Sequence, residues 1–184
     1  VINSGSILIK DSEIVLHSDS GGTSGALQSS GSGALIEAEN VKITSDNSNY
    51  TIGLYGASGG TIQGKDVTIN LISGDGIFAY DSGTLINLQG NTTIHANNGA
   101  ALSIDDDAQV IGTGKMDLLG YIETSAGALV DLQMTAGSKF VGSANPFGLN
   151  GGTINLAMTG SQWDMNSTSY VNNLVLNNST VNIS

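Results

Sequence analysis

Three consecutive carboxylates, Asp105-Asp106-Asp107, form the densest group of chemically capable side chains in this sequence. In an extended segment Asp105 and Asp107 share a side. Two carboxylates placed that way suit Ca²⁺ ligation or acid–base cleavage of a polysaccharide. No calcium-binding nonapeptide repeat accompanies them and no lysine stands nearby to act on a uronate, so a solvated loop is the competing reading. Cysteine is absent, which removes thiolate metal sites and a disulfide framework. No phosphate loop, dinucleotide fingerprint or His-rich metal spacing occurs. The sequence therefore predicts no catalytic residue and no cofactor, and no metal site beyond the candidates Asp105 and Asp107.

Ser18-Asp19-Ser20-Gly21-Gly22 resembles the surroundings of a trypsin-like nucleophile, with Ser20 as the serine. A triad needs a histidine and a carboxylate brought together in space. Of the two histidines, His17 is too close in sequence and His95 lies within a regular repeat, so the motif reads as a turn. Tyr50, Tyr55 and Tyr80, with Asn97 and Asn98, are candidate binding residues. Asparagine recurs along the chain, and stacked asparagines form hydrogen-bonded ladders. Such a ladder is either structural or an outward polar strip for another copy or a glycan.

Charge narrows the partners. The 184 residues include five Lys and Arg together against 16 Asp and Glu, a net charge of −11. All five positive residues are lysines, scattered at Lys10, Lys42, Lys65, Lys115 and Lys139. Nucleic acid requires clustered basic residues and is excluded as a partner. An anionic membrane surface is disfavoured for the same reason. No apolar run approaches 18 residues, so no helical span is predicted. The first residues, Val1-Ile2-Asn3-Ser4-Gly5, carry no signal-peptide pattern. With no initiator Met, the sequence reads as a piece of a longer chain.

The elements that position these groups are short strands. Apolar residues alternate, as in Val67-Thr68-Ile69-Asn70-Leu71 and Ile154-Asn155-Leu156-Ala157-Met158. Gly, Ser, Asn and Asp bound the strands. Gly33-Ala34-Leu35-Ile36 recurs as Gly60-Thr61-Ile62, Gly83-Thr84-Leu85, Gly127-Ala128-Leu129 and Gly152-Thr153-Ile154. Self-comparison sets Leu16 with Ile43, Ile43 with Ile69, Ile69 with Ile94 and Leu129 with Ile154, a period near 25. Short strands at that period predict an all-β fold, a right-handed parallel β-helix (solenoid) with a C-terminal β cap. Residues 1–114 are assigned to the stalk coils and 115–184 to the terminal coils and cap. Lys115 to Tyr121 is expected to break register, and Pro146 to sit at a loop or hairpin tip.

The C-terminal residues carry a family resemblance. Gly160-Ser161-Gln162-Trp163-Asp164-Met165, then Ser169-Tyr170-Val171-Asn172-Asn173-Leu174-Val175-Leu176-Asn177-Asn178-Ser179-Thr180-Val181-Asn182-Ile183, resembles the end of a pertactin-like or AIDA-like autotransporter passenger. About 25 residues match that pattern closely; the repeats match only in style. The resemblance implies a secreted β-helix exported through an outer-membrane barrel of the same precursor (type V secretion). It further implies an autochaperone-like cap, here Trp163, Met165, Val171, Leu174, Leu176 and Val181. No barrel strands follow, so the sequence reads as the C-terminal portion of a passenger.

The expected function is a non-enzymatic stalk at the bacterial surface, outer-membrane-anchored or secreted. It would support adhesion, self-association or biofilm formation, and so virulence. The expected partner is a host surface or extracellular matrix component, or another copy of the chain. The alternatives are a polysaccharide-processing β-helix enzyme, or a pure scaffold for an N-terminal functional domain.

Overall fold

Alternating apolar residues with a turn residue every five to ten positions dictate short strands that bury one side. In the computed structural model these strands stack coil upon coil. The structure describes residues 2–3, 5–17, 24–46, 48–125, 127–148 and 151–184. The strands are β1 (Ile2–Asn3), β2 (Ser6–Leu16), β3 (Ser24–Ser30), β4 (Leu35–Ser45), β5 (Thr51–Ala57), β6 (Thr61–Lys65), β7 (Thr68–Leu71) and β8 (Gly74–Ala79). They continue as β9 (Leu85–Ile104), β10 (Gln109–Thr124), β11 (Leu129–Met134), β12 (Lys139–Val141), β13 (Thr153–Thr159), β14 (Gln162–Met165), β15 (Asn173–Asn177) and β16 (Thr180–Ile183). Among the described residues there is no helix, and the one antiparallel contact is the isolated bridge from Ser125 to Gly151. The fold is a parallel β-solenoid of about six turns. At about 4.8 Å per turn the rod is about 30 Å long.

Three faces wrap a narrow core. On the first face Ile36, Ile62, Ile86, Val110, Val130 and Ile154 stack in register, all fully buried. On the second, Ile14, Ile43, Ile69, Ile94, Leu118, Phe140, Trp163 and Val181 form one column. On the third, Leu27, Leu54, Ile77, Leu102 and Ile122 do the same. Each fully buried aliphatic side chain contributes roughly 1.5–3 kcal/mol. The third face has no named strand after β10; beyond it only the bridge from Ile122 to Ala144 continues the pairing.

The corner between the first and second faces needs a left-handed backbone. Asp11, Asn40 and Asp66 supply it with φ of 47°, 52° and 55°, as short polar side chains tolerate. Gly114 continues the corner at φ 133°, where an added Cβ would stand 2.1 Å from the Gly90 carbonyl oxygen. Only glycine fits there.

Register departs from the sequence reading in three places. Ile14, not Leu16, lies opposite Ile43, and Leu16 lies opposite Ser45. A two-residue slip leaves every side chain on its own face, so alternation alone does not separate the two registers. Val130, not Leu129, lies opposite Ile154; Leu129 points outward. Lys115 to Leu119 keep register with Asn91 to His95, and the irregularity falls later, at Gly120-Tyr121. There β9 carries extra residues at the corner. The 114/115 division of the chain falls inside the continuous strand β10. Pro146 sits in a turn closed by the Gly148 N–H on the Asn145 carbonyl at 3.0 Å.

Candidate functional site

The third face carries the aromatic side chains that the core does not use. Tyr55 on β5 lies opposite Phe78 on β8, with ring centroids 5.9 Å apart. Tyr80, just past β8, meets Phe78 at 5.6 Å and Tyr55 at 5.8 Å. The Tyr55 hydroxyl donates to the Tyr80 oxygen at 2.9 Å. All three rings are half-buried and point outward. Burial, then the bond to Tyr80 and the charge of Asp81, push the Tyr55 phenol up to about 12. It therefore stays protonated at neutral pH.

Carboxylates continue the face toward the C-terminal end. In the outward column, Phe78 is followed by Ser103 and then Glu123. Asp75, at the start of β8, is only 4% exposed. It accepts the Tyr50 hydroxyl, and the Ala100 N–H at 3.0 Å. Burial raises its pKa, the charge of Asp105 adds to the rise, and the two hydrogen bonds oppose it. Glu123 is raised by burial and by Asp75 and Asp105, against a 2.9 Å bond from Ser103. Burial and the same bond to Asp75 also raise the Tyr50 phenol. Tyr121 lies opposite Ala100, its ring 6.1 Å from that of Phe147, which is 75% exposed.

The carboxylate triplet is a corner, not an extended segment. The Ala108 N–H bonds the Asp105 carbonyl at 3.1 Å, and Asp106 and Asp107 have φ of 49° and 62°. This turn removes the strand alternation that set Asp105 and Asp107 on one side. The Asp105 carboxylate accepts the Ser125 hydroxyl. Among the described residues no three His, Asp or Glu side chains gather as metal ligands do. Asn97 and Asn98 occupy the widened β9 corner, and their amides donate to the Leu71 and Ile72 carbonyls at 3.1 and 3.0 Å. They cap the coil below. Ser18 to Gly22 lie outside the described residues; neighbouring His17 contacts Asp46. His95 Nε2 lies 3.3 Å from Asp117 Oδ2.

The other faces are polar and carry carboxylates and all five lysines. Glu39 bridges Lys10 at 2.6 Å and Lys65 at 2.7 Å, and both lysines hold its carboxyl down to about 2. A shallow groove of about 270 Å³ runs beside this triad, lined among others by Glu37, Gln63 and Asn87. An amide ladder appears where Asn173 donates to Asn155 at 2.7 Å.

Trp163 is 1% exposed, stacks on Phe140 at 5.2 Å and donates its indole N–H to the Gly142 carbonyl at 2.9 Å. Val181 lies over it, while Met165 and Val171 pack half-buried against the core. Leu174 and Leu176 stack above Leu156 and Met158 yet stay exposed, because no further strand of the described chain covers β15. Sequence reading found Tyr50, Tyr55 and Tyr80 but missed Phe78, Asp75 and Glu123. The signal was present: Asp75 and Tyr80 each fall 25 residues after Tyr50 and Tyr55.

A parallel solenoid with a tryptophan-anchored C-terminal end is the architecture that the terminal motif implies. The chain is 33% identical over 171 residues to a YcgV protein of Escherichia coli O157:H7, covering 88% of this chain and 31% of that one. It is 32% identical over 171 residues to the protein named probable autotransporter YcgV of E. coli K12, covering 88% of this chain and 18% of that one. The chain is thus similar to a protein named a probable autotransporter, and it spans less than a third of the length of either relative. No protein-family model and no solved structure matches it.

Proposed function

We propose that this chain is the non-enzymatic C-terminal stalk of an autotransporter passenger at the bacterial surface, supporting adhesion or self-association. One observation carries this reading: an unbroken parallel ladder, in a chain related to a protein named a probable autotransporter. A rod of stacked coils holds binding groups away from a cell and repeats them at fixed spacing. Its outward columns offer Gln63, Asn87, Asn155 and Asn173 for many weak hydrogen bonds. Bacteria displaying the full precursor should aggregate or bind host cells, and should lose this on deletion of residues 1–148. Loss only on deletion of coils N-terminal to this region would favour a pure scaffold. Release of reducing sugar by the purified chain would overturn the non-enzymatic reading.

The C-terminal coils serve folding during secretion. Trp163 and Phe140 are the two largest fully buried side chains among the described residues, and their rings stack. Trp163→Ala should slow refolding and lower surface display. Unchanged display would overturn the autochaperone role. The translocator barrel of the same precursor is then the partner during export.

A further inference from the structure

Positive charge is segregated around the rod, while carboxylates lie on every face. All five lysines of the sequence lie on the first two faces: Lys10 and Lys65 on the first, Lys42, Lys115 and Lys139 on the second. Four of them are ion-paired there, with Glu39, Glu13 and Asp164. The third face has carboxylates at Asp75, Asp105 and Glu123 and no lysine. Among the described residues none of these three is ion-paired; each is met only by hydroxyl or backbone N–H groups. The same face presents the half-buried rings of Tyr55, Phe78 and Tyr80 in one contiguous cluster.

We propose that the third face between β5 and the end of β10 docks an extended peptide segment bearing lysine or arginine. The rings take the aliphatic stem and face the cation, and the carboxylates Asp105 and Glu123 take its charged head. The four coils involved span about 15 Å, the reach of roughly five extended residues. Burial and mutual repulsion already raise the proton affinity of Asp75 and Glu123; a bound cation relieves that repulsion. A second copy of this chain is a poorer occupant, since most of its lysines are engaged. A neutral glycan would use the rings but leave the carboxylates uncompensated. The proposal deepens the reading of a surface-displayed binding rod and rests on it for its setting.

Binding is measured by titration calorimetry on the 184-residue chain, so a failure of cell adhesion and a failure of docking are separate results. The probes are octalysine, octaglutamate, a neutral Gly/Ser octapeptide and maltohexaose. Octalysine alone should bind. Its affinity should fall at least tenfold in the D105N/E123Q variant and in Phe78→Leu, and decline with added salt. E39Q, on the first face, should leave it unchanged. Hydrogen exchange confirms that each variant is folded. The proposal is overturned if octalysine does not bind, or if E39Q weakens it as much as D105N/E123Q. It is also overturned if maltohexaose binds in place of octalysine, or if the third-face changes abolish only self-association.

Discussion

Trp163 shows how one residue ties local sequence to the stability of a whole end. It sits in the second-face column between Phe140 and Val181, and its indole N–H satisfies a carbonyl of the turn beside it. Replacement by alanine leaves a cavity and should cost about 3–5 kcal/mol, read from denaturant midpoints. Asp75 behaves oppositely. Its folded pKa is raised, so its contribution is favourable below the unfolded value and is lost as pH rises through the folded one. At neutral pH the charged carboxylate costs stability. Asp75→Asn should therefore be neutral or stabilising at pH 7, and its advantage should vanish when acid protonates the wild type. A wild type clearly more stable than D75N at pH 7 would refute this. Trp163 as a core aromatic was legible from the sequence. The burial of Asp75 was not read there, although the 25-residue period sets Asp75 one coil after its partner Tyr50.

At the scale of elements, corners and cross-coil ladders do the positioning. Gly114→Ala should destabilise far more than Gly33→Ala. At Gly33 nothing lies within 4 Å of an added Cβ, and only the positive φ opposes the change, about 1–2 kcal/mol. At Gly114 a carbonyl oxygen blocks the site as well. Thermal unfolding of the two variants checks the difference. The ladder of Lys10, Glu39 and Lys65 joins β2, β4 and β6. Glu39 titrates at about 2, below its ordinary 4.5. The ladder's stabilisation is present above 4.5 and is lost as pH falls through 2. Glu39→Gln should lower the urea midpoint slightly at pH 7, the gap closing near pH 2. Strand existence and corner residues were readable from alternation and from Gly, Asn and Asp. The pairing of Ile14 with Ile43 was not, because a slip of two residues satisfies the same pattern.

For the whole molecule, protection should follow coverage. The β9 and β10 strands run through all three faces; β9 has strands on both sides, and β10 has β9 on one side and β11, β12 and the Ile122–Ala144 bridge on the other. By contrast β15 is exposed along its length, with Val175 at 60%. Hydrogen exchange should open β15 and β16 well before β9 and β10. Equal protection would mean that the last coil is covered in solution. By itself the sequence determined the solenoid, its period, its glycine and asparagine corners and its aromatic C-terminal end. These follow from side-chain alternation and turn chemistry, which act within one coil. The tertiary structure alone decided which residues share a face. That assignment depends on summed corner lengths, such as the extra β9 residues around Asn97 and Asn98. It gathered Tyr55, Phe78, Tyr80, Asp105 and Glu123 on one side of the rod and left all five lysines on the other two.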